Sequence, residues 1–226
     1  MIPTSVIVIC IIGMVLQACF IMQEHKENYL AAVIFKGSAA LMFVLVGIMG
    51  FWASNSSYSK IILWGLCFGA LGDILLNLRY LVGEMGQKVF LAGIASFFTG
   101  HIMYLVALVP TSKHLFISVV AGVIAAALLL AYIFRKLTVK PAFKIFGIFY
   151  IGAIIIMTAV AIDNLLTYRI ISCTLFAIGA ILFTVSDIVL IFNTFGEKTT
   201  LGRRIANLSC YYIAQLLIAV TTGMIK

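Results

Sequence analysis

The sequence predicts an all-α protein, a polytopic membrane bundle of about eight transmembrane helices. Three observations carry that expectation. Of 226 residues, 64% are hydrophobic and only 10% are charged, where soluble domains carry roughly 45–50% and about 25%. The apolar runs are continuous and about 20 residues long, the length that crosses a hydrocarbon core of roughly 30 Å as a helix. No run alternates polar and apolar residues. Lipid admits only helices and closed barrels, because each backbone N–H and C=O needs an internal partner there, and the missing alternation removes the barrel.

The elements follow in order. The first span, 4–22, has no charged leader and no small-residue cleavage site, so it reads as a retained span rather than a signal peptide. The second, 29–51, carries Lys36 and ends in the polar stretch WASNSSYS at 52–59. The third, 60–80, holds Asp73 and Asn77, and the fourth, 88–109, holds His101 and Tyr104. The fifth, 115–134, carries no charge and leads through a basic connection at 135–142, around Pro141, into the sixth, 143–162. The seventh, 170–192, carries Asp187; after NTFGEKTTLGR at 193–203, the eighth, 204–224, carries Tyr211, Tyr212 and Gln215. Every connection is short, so residues 1–226 form a single integral membrane domain.

The net charge of +8 would suggest nucleic acid in a soluble protein. Without zinc-knuckle spacing, a basic arm or a low-complexity tail, nucleic acid is excluded here. Cationic loops instead face an anionic inner leaflet. One set of connections holds Lys26, Arg79, Lys88, Arg135, Lys136, Lys140, Lys144, Lys198, Arg203 and Arg204; the opposite set holds Lys60, Lys113, Arg169 and Lys226. The richer side should be cytoplasmic, which puts both termini outside a bacterial cytoplasmic membrane. The cysteines, Cys10, Cys19, Cys67, Cys173 and Cys210, lie in apolar runs without a CxxC pair. They read as small hydrophobes, with neither disulfides nor a metal expected of them.

A repeat is also visible. Gly72-Asp73-Ile74-Leu75-Leu76 and Ser186-Asp187-Ile188-Val189-Leu190 stand 114 residues apart, and the same offset carries His101 onto Gln215. A shift of four spans preserves orientation, so one reading makes halves 1–112 and 113–226 two parallel four-helix repeats; the other is coincidence within low-diversity apolar sequence.

Ionisable residues within lipid are expensive and usually mark function. Lys36, Asp73, His101 and Asp187 qualify. Asn77 follows Asp73 at i,i+4, Tyr104 follows His101 at i,i+3, and Tyr211 and Tyr212 precede Gln215 at i,i+4 and i,i+3, spacings that share a helix face. On the topology above, these residues converge on the cytoplasmic half, where a polar pocket would receive a lipid headgroup. Two carboxylates in a low-dielectric site do not ionise together, so one serves as general acid and the other as base toward water. Lys36 has two uses, neutralising a carboxylate or binding a phosphate; it also has a plainer one, snorkelling to the interface. His101 as a core histidine, the tyrosines as packing aromatics and Asn77 as a helix stitch are the plainer readings of the rest. Asp163 and Arg169 read as solvated outer-loop residues, and His25 and His114 as loop residues without a partner pattern.

Several chemistries are poorly served. A zinc hydrolase wants several buried histidines and His101 stands alone in the membrane; GxSxG, HExxH and P-loop motifs are missing. Ser186 precedes Asp187, but adjacent helix residues do not face each other.

Gly72-Asp73, Gly100-His101-x-x-Tyr104, Ser186-Asp187 and Tyr211-Tyr212-x-x-Gln215, in that order and spacing, resemble the YhhN-like lysoplasmalogenase family over essentially the whole chain. One departure stands out: the family often has Lys-Pro in its second span, where this sequence has Lys36-Gly37. That alters a helix kink and keeps the charge. The resemblance implies hydrolysis of the vinyl ether bond of lysoplasmalogen to a fatty aldehyde and a glycerophospho-base, with no cofactor and with a lysophospholipid drawn from the membrane as the partner. Such a bond breaks by protonation of the β-carbon, addition of water to the oxocarbenium ion and collapse of the hemiacetal. Asp73 and Asp187 are then the candidate acid and base, in an order the sequence leaves open. Lys36, Asn77, His101, Tyr104, Tyr211, Tyr212 and Gln215 are candidates to hold headgroup or water. Competing readings are a lipid or small-molecule transporter or flippase using the same pocket, and a structural membrane protein. A homo-oligomer is compatible with the sequence, which does not fix the oligomeric state.

Overall fold

The computed structural model describes residues 2–138, 141–196 and 199–224. Among them are eight α-helices and no strand: α1 Thr4–His25, α2 Tyr29–Ser54, α3 Ser57–Leu78, α4 Gly86–Leu108, α5 Leu115–Lys136, α6 Pro141–Tyr168, α7 Ile171–Phe195 and α8 Leu201–Thr221. Helices α1–α7 are long and apolar enough to cross a membrane, which makes this an integral membrane protein. Helix α8 has 21 residues, but Arg203, Arg204 and Asn207 occupy its first two turns. The basic residues Lys140, Lys198 and Lys226, used above for orientation, lie outside the described residues, as does Met1.

The chain divides into two compact units, one of residues 1–103 with 218–226 and one of 104–217. In the first, α1 packs on α2 and α2 on α3 around Phe20, Phe43, Ile62 and Leu66, all fully buried. Asn55 adopts the left-handed conformation that ends α2, and the Ser56 side chain then accepts from Ser59 N at 3.2 Å to start α3, a cap that supplies one of the acceptors a helix N-terminus lacks. Small residues bring α3 and α4 close. A Cβ on Gly72 would stand 2.7 Å from the Phe97 ring, and one on Gly100 would stand 3.0 Å from the Gly65 carbonyl. Ser96 adds a hydrogen bond to the Phe68 carbonyl at 2.6 Å. Small-residue approach and interhelical hydrogen bonds hold helices together where lipid gives no hydrophobic drive. The end of α8 is seated in this unit: Ser59 Oγ donates to the Thr222 carbonyl at 2.6 Å, and Tyr58 and Thr221 share a 3.0 Å hydrogen bond.

In the second unit α5 packs on α6 and α6 on α7, with Ile154, Met157, Val160, Phe176 and Phe183 at the centre. Thr158 and Thr184 hydroxyls meet at 2.9 Å across α6 and α7. Ser186 Oγ donates to the Asn207 carbonyl, and Asn207 Nδ2 returns 2.9 and 2.8 Å bonds to the Ser186 carbonyl and hydroxyl, tying α7 to α8. Ser186 is thus a stitch between helices.

The outward surfaces are those of a lipid-solvated protein: Trp52 is 77% and Phe116 81% exposed, along with many leucines and isoleucines. Gln17, Lys36, Asp73, His101, Asp187 and Gln215 are buried.

One boundary differs from the expectation in a way that matters. Helix α6 runs to Tyr168, six residues past the expected end at 162. Asp163 is therefore a helical residue, mostly buried. It accepts from Ser112 Oγ at 2.8 Å and from the His114 backbone N–H at 3.3 Å, and it pairs with His114 Nδ1 at 2.9 Å. Asn164 Nδ2 donates to Thr111 Oγ1 at 2.8 Å, and the Tyr168 hydroxyl to the Thr111 carbonyl at 2.8 Å. Asp163 and His114, expected to be solvated and unpartnered, anchor the α4–α5 connection to α6. Polar side chains suggested a loop because their partners come from some 50 residues away.

Candidate active site

The first unit gathers the charged candidates. Lys36 is 2% and Asp73 3% exposed, and Lys36 Nζ lies 3.2 Å from Asp73 Oδ1. The same ammonium donates to Gln17 Oε1 on α1 at 3.3 Å and stands 5.0 Å from the Phe20 ring centroid. Lys36 therefore does not snorkel; α1, α2 and α3 converge on it. A buried ion pair is sustained only when further hydrogen bonds satisfy its members, and Gln17 supplies one. Asn77 turns its amide to the Asp73 backbone carbonyl at 3.0 Å, bracing the helix under the carboxylate. His101 is buried on α4, with Nδ1 2.7 Å from the Phe97 carbonyl. That is the same Phe97 whose ring fills the space at Gly72.

The second unit holds the other candidates in two groups. Asp187, 4% exposed, accepts from the Tyr150 hydroxyl of α6 at 2.9 Å. Separately, the Tyr104 hydroxyl donates to Gln215 Oε1 at 2.7 Å, and Gln215 Nε2 donates to the Tyr211 hydroxyl at 3.3 Å. Tyr104 meets Phe176 edge-on with centroids 6.2 Å apart, and Tyr211 meets Phe183 likewise at 5.3 Å. Tyr212 is fully buried beside them in sequence. One glutamine thus bridges two phenols, each wedged against a core aromatic.

The two aspartates have matched surroundings in sequence and unlike ones in chemistry. Lys36 and Asp73 are 37 residues apart, and so are Tyr150 and Asp187. The 114-residue offset that joins the aspartates also carries Lys36 onto Tyr150 and Phe97 onto Tyr211. In each unit a residue one helix earlier serves the carboxyl, an ammonium in one and a phenol in the other.

A model of the YhhN family matches residues 31–222. The chain belongs to the YhhN family. Comparison with curated proteins and with solved structures finds no match. The YhhN match takes in every candidate residue named from the sequence and leaves out Gln17 on α1. Membership in the YhhN family is consistent with a hydrolase.

Sequence reasoning passed over Gln17 and Tyr150. Gln17 had a signal, a lone amide in the middle of an apolar span. Tyr150 had one only in retrospect, as the position to which the repeat offset carries Lys36.

Proposed function

We propose that this protein hydrolyses the vinyl ether bond of lysoplasmalogen, or of a related lyso-ether lipid taken from the membrane, by acid–base catalysis with Asp187 and Asp73. The observation that carries the reading is the pair of buried carboxyls with unlike partners, within the YhhN match. Asp73 has a cation beside it, so it is suited to the carboxylate role. Asp187 has a phenol as its partner among the described residues, so it is suited to carrying a proton into an apolar site.

Asp187 protonates the β-carbon of the vinyl ether; the double-bond pair takes the proton and leaves an oxocarbenium ion at the α-carbon. The Asp73 carboxylate takes a proton from water as its oxygen adds to that carbon, giving a hemiacetal. Asp187, now a carboxylate, removes the hemiacetal hydroxyl proton while Asp73 returns its proton to the departing glycerol oxygen. The C–O bond breaks, the aldehyde and the glycerophospho-base leave, and both carboxyls are restored with one water consumed. Lys36, held by Gln17, orients Asp73 and Tyr150 orients Asp187, and His101, Tyr104, Tyr211, Tyr212 and Gln215 are the candidates to hold headgroup and water. The cytoplasmic half of the bilayer, with both termini outside, is the side on which we place this chemistry.

The test is aldehyde release from lysoplasmalogen by purified protein in detergent. Wild type should release it, and Asp73→Asn and Asp187→Asn should each lose at least about a hundredfold, the lower range for removing a general acid or base. Wild-type rates in both well-expressed variants would overturn the assignment. Absence of substrate loss with wild type would overturn hydrolysis in favour of carriage.

A further inference from the structure

We propose that Arg79 binds the phosphate of the lipid headgroup, at the end of α3 beyond Asp73. The identity of that lipid as a lysophospholipid rests on the hydrolase reading above; the site itself does not. Lys36, the buried cation of the same unit, is already taken up by Asp73 and Gln17, so the phosphate needs another partner.

Arg79 follows the last residue of α3 and is held by aromatic rings. Its guanidinium carbon lies 4.5 Å from the Phe90 ring centroid and 4.6 Å from that of Tyr80, and Nη2 donates to the Tyr80 hydroxyl at 2.5 Å. Tyr80 in turn stacks on Tyr29, at the start of α2, with centroids 4.7 Å apart. The guanidinium is therefore fixed in place. Among the described residues it pairs with no carboxylate, unlike Lys36, which has Asp73, and His114, which has Asp163. Its Nε is buried without an acceptor. A helix C-terminus favours any nearby cation, but that preference is met by a solvated charge and does not explain an N–H buried with nothing to receive it. A planar guanidinium immobilised by rings, with no carboxylate paired to it among the described residues, is the arrangement that takes up a phosphate.

Depth agrees. Arg79 stands at the end of its span, where headgroups lie, six residues from Asp73, about 9 Å along the helix axis. In a 1-alkenyl lysophospholipid, six bonds separate the phosphorus from the vinyl α-carbon, the atom toward which Asp73 directs water, roughly 7 Å if extended. The two residues sit on adjoining faces of α3, about 120° apart, a turn that the arginine's long arm can take up.

The test uses a saturated 1-alkyl lysophosphatidylcholine, which has no vinyl bond to hydrolyse, and the matching 1-alkylglycerol, which has no phosphate. Their binding to the purified full-length protein is measured by titration in detergent, with inorganic phosphate as a competitor. Wild type should bind the phospholipid at least about tenfold more tightly than the alkylglycerol, the scale of one charge-assisted contact. Arg79→Gln should erase that preference while binding the alkylglycerol as wild type does, which also reports an intact fold. Arg79→Lys should retain part of it. A preference that survives Arg79→Gln overturns the proposal, and so does wild-type binding of inorganic phosphate as tight as that of the lysolipid. Aldehyde release is assayed in parallel. A lost preference with wild-type protein inactive leaves the phosphate site standing and removes hydrolysis; a kept preference with active protein does the reverse.

Discussion

The partner of each aspartate decides what a substitution there does. Lys36 is buried against Asp73 and Gln17, so Lys36→Met leaves the buried Asp73 carboxylate without its cation. Breaking a buried pair from one side costs about 3–5 kcal/mol, and thermal unfolding in detergent should show a loss of that order. The double variant Lys36→Met/Asp73→Asn should recover most of the stability and none of the aldehyde release, because it removes both charges together. Tyr150→Phe removes the hydroxyl that donates to Asp187. It should change stability by about 1 kcal/mol and slow turnover about tenfold, with substrate binding retained. Equal turnover in Tyr150→Phe would detach that phenol from the chemistry. At this scale the sequence was informative wherever a charge interrupts an apolar run, since Lys36, Asp73 and Asp187 announce themselves by what lipid charges for them. Tyrosine announces nothing, because a tyrosine near a span end is ordinary, and only the 2.9 Å contact distinguishes Tyr150.

Helices here are held by proximity rather than by hydrophobic drive, and glycines set the proximity. Gly72→Leu would drive a side chain into the Phe97 ring, which a Cβ alone meets at 2.7 Å. Phe97 carries the carbonyl that His101 contacts. The expected outcome is an overpacking loss of about 1–3 kcal/mol in thermal unfolding, with lower activity through the displaced Phe97. Gly152→Ala on α6 is the control: nothing lies within 4 Å of the added Cβ, so unfolding should be unchanged or slightly later. Equal effects of the two would show that α3 and α4 do not depend on close approach. Helix positions were legible because uninterrupted runs of about 20 apolar residues have one solution in lipid. The far end of α6 was not, since Asp163 and Asn164 look like loop residues until Ser112, His114 and Thr111 are seen to take up their polar atoms.

For the whole molecule, the lysines and arginines of the connections set the orientation by α1–α7 alone, but the side of the C-terminus depends on α8 crossing the membrane. Helices α1–α7 qualify by length and apolarity; α8 begins with Arg203 and Arg204. Its last turn is tied to Ser59 and Tyr58 through Thr222 and Thr221. If α8 spans, both termini lie on one face, and reporters that work only outside the membrane should be active when fused at either end. Activity at one end alone would leave α8 outside the bilayer's span and reverse the placement of the C-terminus.

By itself the sequence determined the solvent of this protein, the number and approximate bounds of its helices, and which few residues had to be hidden from lipid. Those follow from the free energy of single groups in hydrocarbon, which needs no knowledge of neighbours. Tertiary structure alone decided the partnerships: Lys36 with Asp73 and Gln17, Tyr150 with Asp187, Gln215 between Tyr104 and Tyr211, and Arg79 among rings without a carboxylate. Most of these join side chains 19 to 111 residues apart. Hydropathy says that such groups must find partners in the bundle, and only the packing of helices says which.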